Sequence, residues 1–492
     1  MKRPMLFCGF CSLMFSCLAF SLLREIIVLF IALFVVLTIV SLIIKRLRFL
    51  FVAFAICILV LFSCFLAVND AKSATSFDGK VKLSGTVCDV IAYENGVSYT
   101  VKLSSIDSNE QNFKIRLSSM YSLNLDVGDK IAAKVKLDSE LPNSYLLSKR
   151  IYRKAELVKL YSHIKQSDIN AKIYEAREKI SDFFLNELNA REASLLLGLT
   201  TGDTGYIDDE LYDNVRRSGA SHIVVVSGLH LSIIAGGFMS LAKHIKMPLK
   251  TAGFLGLLLL ALIVAVTGFT VSAMRAALTF VILFFGYFLG RKPDALNSLF
   301  TAITILCIEN PFVAGSVSFQ LSSAATFGII VLSPVAIWHT TSKMDDGIAE
   351  RAVKGILSVL FTSLSATILT LPFTIWHFGV FSLVAIITNI AITVPVTVAL
   401  LLSVISILFN NFPFVYKFTL LLSGLLAKGI LFVIESFGKM PYAAIELKNP
   451  LLFTIISAAF AAFVSIYCLK NIDKRKCASS DAFDRTRIKK EY

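Results

Sequence analysis

Polar side chains stranded in apolar sequence are where this chain has the means to do chemistry, and residues 219–237, GASHIVVVSGLHLSIIAGG, hold the densest set of them. In a helix, Ser227 and His230 lie three apart and Ala220 and Ser227 seven apart, so hydroxyl, imidazole and small residues share one face. Such a face allows either close backbone approach with an internally satisfied histidine or a wet, polar path. A hydroxyl nucleophile and an imidazole base three positions apart also describe a serine hydrolase. Nothing in the sequence marks an oxyanion hole or an orienting third group for it. Arg275, in VSAMRAALTF, is the only charge between Lys250 and Arg291. A guanidinium there must snorkel to an interface, pair with a carboxylate or face water, where it would present a permanent positive charge to a passing phosphate. Asp294, after Pro293, reads as a helix cap. Asn297, Gln320, Ser322-Ser323 and Asn389 bring amides and hydroxyls into further apolar runs, and Pro334, Pro372 and Pro395 make those helices irregular around a shared interior.

The elements that carry these residues belong to a membrane. The 492 residues are 56% hydrophobic with a mean hydropathy of +0.74, which excludes an ordinary soluble globular protein. Only 17% are charged, with a net charge of +14, an excess that in such a chain reports mainly cytoplasmic loops. The nine cysteines show neither a disulfide framework nor zinc spacing, and Cys8-x-x-Cys11 lies in an apolar run that suits packing better than redox work. Lys2 and Arg3 before the apolar run 5–23 imitate a signal peptide, but no small-residue cleavage site follows and a second run begins at once.

Runs long enough to cross about 30 Å of hydrocarbon fall at 5–23, 26–44 and 49–68, then at 222–242, 250–268, 273–289, 295–308, 317–337, 355–375, 380–407, 414–435 and 450–469. The run at 295–308 is short enough to be re-entrant. The fold class expected is a polytopic α-helical membrane protein of about twelve spans. An even count puts both termini on one side, and the basic clusters Lys45-Arg46-Arg48, Lys243-His244-Lys246-Lys250, Arg291-Lys292 and Lys470-Lys474-Arg475-Lys476 then all fall in the cytoplasm of a cell-membrane protein.

The domains expected are N-terminal spans at 1–68, a water-exposed extracytoplasmic β domain at 69–165, an amphipathic interfacial segment at 166–221, a helical core at 222–470 and a basic cytoplasmic tail at 471–492. In the β domain apolar residues alternate, as in Val97, Tyr99, Val101 and Leu103. This predicts strands near 80–92, 97–104, 111–117, 130–137 and 145–153 and suits a small OB-like barrel. Lys80, Lys82, Lys102, Lys114 and Arg116 on it offer contacts to a nucleic-acid backbone, and Tyr93 and Tyr99 offer stacking faces. Its charges nearly balance, so a purely structural domain is the competing reading.

The run RRSGASHIVVVSGLHLSIIAGG, from Arg216, resembles the core motif of the ComEC competence family. VSAMRAAL around Arg275, RKPDALNSLF from Arg291 and ENPFVAGSVSFQLSSAATFGI from Glu309 resemble that family's next landmarks in order and spacing. What the resemblance implies is a channel passing single-stranded DNA across the cytoplasmic membrane in natural transformation. Arg216, Arg217, His222, Ser227, His230, Arg275, Asn297 and Gln320 would be its channel-lining or channel-shaping residues. Single-stranded DNA and membrane lipid are its implied partners, with a cytoplasmic helicase-like motor and an extracytoplasmic DNA-delivery protein. Many family members continue into a metallo-β-lactamase-like nuclease domain, whereas here the core runs into the basic tail, so a separate nuclease is a further partner to consider. The six histidines, at 163, 222, 230, 244, 339 and 377, are dispersed and supply no dinuclear metal site, and no GxxxxGK[ST] loop occurs. No catalytic residue, metal or cofactor is expected. The alternatives are a small-solute or lipid-linked transporter on the same scaffold, or a remnant inactive in DNA uptake.

Overall fold

The computed structural model describes residues 4–488 apart from 21–23, 44–49, 94–95, 108, 122, 139–141, 167–168, 222–227, 291–293, 343, 345–346 and 448. The basic clusters at 45–48 and 291–292 lie outside the described residues, as do the side chains of the tail beyond Lys470. The chain forms two compact units, one of residues 1–207, 226–319 and 407–410, the other of 208–225, 320–406 and 411–492.

The first unit opens with three apolar helices, α1 (Pro4–Phe20), α2 (Arg24–Ile43) and α3 (Phe51–Thr75). Edge-on contacts of Phe15 with Phe34 and of Phe34 with Phe54 knit them together, and Cys8, Cys57 and Cys64 are buried and free. Of the Cys8-x-x-Cys11 pair, Cys8 is buried and Cys11 partly so.

Directly after α3 come β1 (Lys80–Tyr93), β2 (Gly96–Ile106), β3 (Asn109–Glu110), β4 (Lys114–Ser119), β5 (Lys130–Leu137) and β6 (Ile151–Ile164). The order β1-β5-β6-β4-β2 closes on itself through β1–β2 pairing, with only β4–β6 parallel, and β3 adds to β2. This is a closed five-stranded barrel with OB-type connectivity. Val81, Leu83, Val101, Ile115, Leu117, Ala133 and Val135 fill it, because alternate residues of each strand point inward. The last strand departs from expectation. Residues 144–148 form a short helix, α4 (Ser144–Ser148), because Asn143 caps it by accepting from Leu146 N at 3.1 Å, and the strand begins at Ile151 and runs on to Ile164.

The barrel is fixed to its helices by buried polar contacts. Arg153 of β6 is 1% exposed. Its Nε donates to Ala74 O at 3.0 Å, Nη1 to Asp138 O at 2.5 Å, and Nη2 to Thr75 O and Phe77 O at 3.2 and 2.5 Å. These include the otherwise unsatisfied carbonyls at the end of α3, where the helix dipole also favours a cation. A second tie comes from the turn Pro311–Gly315: Asn310 Nδ2 donates to Ser148 O at 2.7 Å, and the Phe312 ring lies between Phe20 and Tyr152.

Three helices follow the barrel: α5 (Ile169–Glu187), α6 (Ala190–Thr200) and, in the second unit, α7 (Asp209–Ser218). Ala193 to Thr200 of α6 are all buried. The first unit is completed by α8 (Gly228–His244), α9 (Leu249–Val266), α10 (Val271–Phe288) and α11 (Ala295–Glu309), α11 lying along α1 and α10.

The second unit contains α7, most of α12 (Val317–Val331), α13 (Ser333–Thr341), α14 (Ile348–Phe378), α15 (Ala385–Leu408), α16 (Pro413–Gly438) and α17 (Pro450–Ile488), with a small hairpin of β7 (Val380–Ser382) and β8 (Ala444–Glu446). Gly328 of α12 lets the backbone of Ser365 on α14 approach too closely for any side chain.

Six of the described helices are long and apolar enough to cross a membrane: Phe51–Thr75, Val317–Thr341, Val353–Phe378, Ala385–Leu408, Pro413–Gly438 and Pro450–Lys470. Five more apolar helices are shorter, among them Ala295–Glu309. Exposed apolar residues such as Leu29, Phe432 and Phe463 give these helices the surface that lipid requires.

Candidate functional site

Helix α7 is built to hold two cations at one end. Asp208 caps it by accepting from Leu211 N at 2.7 Å, Asp209 and Glu210 occupy the first turn, and Arg216 and Arg217 occupy the last, so both ends suit the helix dipole. Gly219 ends it with φ +75° while lying against Ala385, a conformation and a spacing that only glycine satisfies. The helix packs on α16, where Lys439 Nζ meets Glu210 Oε1 at 2.8 Å.

This seating brings the side chain of Arg216 and the main chain of Arg217 to the junction of α14 and β7. Arg216 Nη2 donates to Phe378 O at 2.9 Å, and Ser382 Oγ donates to Arg217 O at 2.8 Å. Both arginines are half-buried, and the Nε of each is shielded from solvent without a hydrogen-bond partner. One residue before Phe378, His377 Nε2 lies 2.7 Å from Gln320 Oε1 of α12, a geometry in which the imidazole donates. The second unit thus carries two arginines on one helix end, the guanidinium of Arg216 held at Phe378 O, and an imidazole–amide pair beside that peptide. Guanidinium groups suit phosphate by charge and by their forked donors.

The other expected residues fall elsewhere. Arg275 lies in the first unit, 2% exposed, near the start of α10, whose neighbours Ala273 and Ala276 pack with Leu231, Ala235, Leu260 and Val264. It therefore sits within the helix cluster rather than snorkelling. Asp294 caps α11 as expected, accepting from Leu296 N and Asn297 N at 3.0 and 3.2 Å, and Asn297 Oδ1 is buried without a hydrogen-bond partner. Asn389 of α15 is 1% exposed and its Oδ1 likewise has none. His222 and Ser227 lie outside the described residues, as does the side chain of His230.

On the barrel, Lys102 is exposed and lines an open groove with Thr86, Ser104, Glu110 and Gln111, while Lys114 stands opposite it on β4. Arg116 is buried. Tyr99 is also buried, its hydroxyl accepting from Leu123 N at 3.0 Å, so it is a core residue and offers no stacking face in this fold. The side chain of Tyr93 lies outside the described residues. Lys80 and Lys82 are exposed on β1. Among the described residues no group of three or more histidine, cysteine or acidic side chains is placed to hold a metal ion.

Sequence reasoning missed His377 and Ser382. His377 interrupts an apolar run as Gln320 does, and that signal marks both.

The apolar helices and the barrel define a polytopic membrane protein with a β-barrel module. The family model "Competence protein" matches residues 199–471, more than half of the chain, and the chain belongs to this family, the ComEC-type competence proteins. It is similar to ComE operon protein 3 of Bacillus subtilis, 25% identical over 247 residues that cover 50% of this chain and 30% of that protein. It is also similar to Recombination protein 2 of Haemophilus influenzae, 24% identical over 49% of this chain and 31% of the relative, and to competence protein ComA of Neisseria gonorrhoeae, 26% identical over 35% and 26%. The matches thus span about a third or less of these relatives' own length. No solved structure matches the chain.

Proposed function

We propose that this chain passes single-stranded DNA across the cytoplasmic membrane in natural transformation, as a channel component of about twelve spans. In this reading both termini are cytoplasmic, the barrel stands outside, and a helicase-like motor and a DNA-delivery protein on other chains supply force and substrate. The family supports the role. The observation that carries the mechanism is the pair Arg216 and Arg217, two permanent cations on one helix end, the guanidinium of Arg216 held by the carbonyl of Phe378 and the main chain of Arg217 by Ser382. Held so, the Arg216 guanidinium loses little freedom on meeting a phosphate, and a shielded site strengthens that attraction. Within the second unit Gln320, His377 and Asn389, and within the first Asn297 and Arg275, are assigned polar roles in that passage.

The test is uptake of labelled DNA into a nuclease-protected cytoplasmic pool. Arg216→Gln and Arg217→Gln together should lower uptake by about two orders of magnitude, since two phosphate-binding cations are lost. Arg-to-Lys changes should retain part of it. Normal uptake by the double glutamine variant, with the protein inserted at wild-type level, overturns this reading.

A further inference from the structure

One outer face of the barrel is arranged as a basic ladder with aromatic and apolar residues set into it. Strand alternation turns Lys80 and Lys82 of β1 and Lys134 and Lys136 of β5 away from the core that Val81, Leu83, Ala133 and Val135 fill. The register sets Lys80 opposite Lys136, Lys82 opposite Lys134, and Lys134 opposite Lys159 of β6. Like charges directly opposite one another oppose sheet formation, so three such pairs in one patch work against the fold unless an anion lies over them.

The same face carries two irregularities. Between Ala132 and Ala133, and again between Lys134 and Val135, β6 has one residue more than β5, and the extra residues are Tyr161 and Val158. Bulges re-aim side chains. Here they put out a tyrosine and a valine that are 48% and 47% exposed on an otherwise basic surface. Lys82 Nζ and Lys159 Nζ stand 5.7 and 5.9 Å from the centre of the Tyr161 ring. One carboxylate enters the ladder, Glu156 opposite Lys136 in the register; Asp107 accepts from Lys82 N at 2.8 Å, and Asp78 lies 3.8 Å from Arg153.

The geometry points to the β1–β5–β6 face, centred on Lys82, Lys134, Lys159 and Tyr161, as a binding surface for a single strand of nucleic acid. The lysines take successive phosphates and the tyrosine stacks a base. This surface is distinct from the Lys102–Lys114 side of β2 and β4, and its Lys134, Lys136, Lys159, Val158 and Tyr161 complete what Lys80 and Lys82 begin. A flexible polyanion is favoured over a compact one because the cations recur along and across the strands and an exposed aromatic ring lies between two of them. The assignment rests on the DNA-passage reading for its ligand.

The test uses the full chain in nanodiscs of zwitterionic lipid and the anisotropy of a labelled oligodeoxythymidylate of about 16 nucleotides, the upper end of an OB fold's footprint. Each lysine–phosphate contact adds about 0.7 to the slope of log affinity against log salt. Replacing Lys82, Lys134 and Lys159 by glutamine should therefore lower that slope by about 2 and weaken binding about a hundredfold at 0.1 M salt. Tyr161→Ala should weaken binding about tenfold with the slope unchanged. The triple variant should melt no lower than wild type at low salt, since the like-charge pairs are gone, which separates lost binding from lost folding. If wild type binds and both variants match it, the face assignment falls while the passage reading stands. If wild type does not bind the oligonucleotide, and the triple variant loses only binding to vesicles rich in phosphatidylserine, the face serves a lipid surface and the inference is overturned. Loss of oligonucleotide binding in these variants alongside normal uptake in cells that lack the chain would sink the passage reading and leave the face.

Discussion

Replacing Arg153 tests whether the barrel is fixed to the membrane helix or merely tethered to it. The guanidinium donates four hydrogen bonds to main-chain carbonyls, three of them at Ala74, Thr75 and Phe77 where α3 ends, and the side chain is 1% exposed. Hydrogen bonds from a charged donor are worth about 1.5–3 kcal/mol each, but four on one group do not add, and Met at 153 would keep much of the buried volume. An expected loss of about 3–5 kcal/mol follows, the range seen when one side of a buried charged contact is removed. At about 1.4 kcal/mol per factor of ten, local opening becomes some hundred- to several-thousandfold more frequent. Hydrogen exchange by mass spectrometry on the chain in nanodiscs reads this directly in peptides covering residues 70–80 and the start of β6. Arg153→Met should show that acceleration there and little change in α15 or α16, and Arg153→Lys should fall between, since it keeps the charge and loses the fork. Exchange in residues 70–80 within twofold of wild type would refute the claim that Arg153 holds the joint.

Further expectations follow from single contacts. Gly219→Ala forces a left-handed conformation and a clash with Ala385, so its thermal midpoint in detergent should fall by an amount matching about 2 kcal/mol or more. A double-mutant cycle on Gln320→Leu and His377→Leu should return a coupling of about 0.6 kcal/mol, typical of polar pairs between membrane helices, and a value of zero would mean that their hydrogen bond does not persist. On α5, burial and then the carboxylates of Asp126, Asp182 and Glu175 raise the Glu178 pKa. A raised acid pKa gives stability that is present below the unfolded value and lost as pH rises through the folded one. Glu178→Gln should therefore raise the melting midpoint at pH 7 and leave it unchanged near pH 3.

Much of this architecture was readable because two periodicities dominate it. The apolar runs at 49–68, 317–337, 355–375, 380–407, 414–435 and 450–469 fall on the six long helices, since a single apolar run can satisfy its own backbone in lipid only as a helix. Alternation placed β1, β2, β4 and β5 to within a few residues and failed at β6, where the cap at Asn143 intervenes and two bulges break the period that alternation relies on. Side-chain direction was less legible. Tyr99 is buried in phase with Val101 and Leu103, so the alternation itself places it inside, whereas Arg116 alternates with the inward Ile115 and Leu117 and is buried on the other face, which one strand's sequence does not reveal. Of the membrane candidates, Arg216 and Arg217 come together with Gln320's partner His377 through the turn at Phe378 to Ser382, a proximity created by residues more than 160 positions apart. Spacing along one helix carries no trace of such a contact.

The anchoring of the barrel bears on how a ligand on its surface would be used. A module on a free tether presents its binding face in all directions, and handover to a membrane path then depends on chance encounter. Here only residues 76–79 separate α3 from β1, and Arg153 and Asn310 tie the barrel to its helices with buried hydrogen bonds. Lys80 is thus five residues past the end of α3, and Lys82 stands about 7 Å further along the strand. A strand of DNA held on Lys82, Lys134 and Lys159 would be presented at a fixed distance from the end of a membrane-spanning helix. Weakening the joint at Arg153 should then reduce DNA uptake even where the barrel still binds DNA with wild-type affinity, and equal uptake by Arg153→Met would show that presentation at a fixed distance is not required.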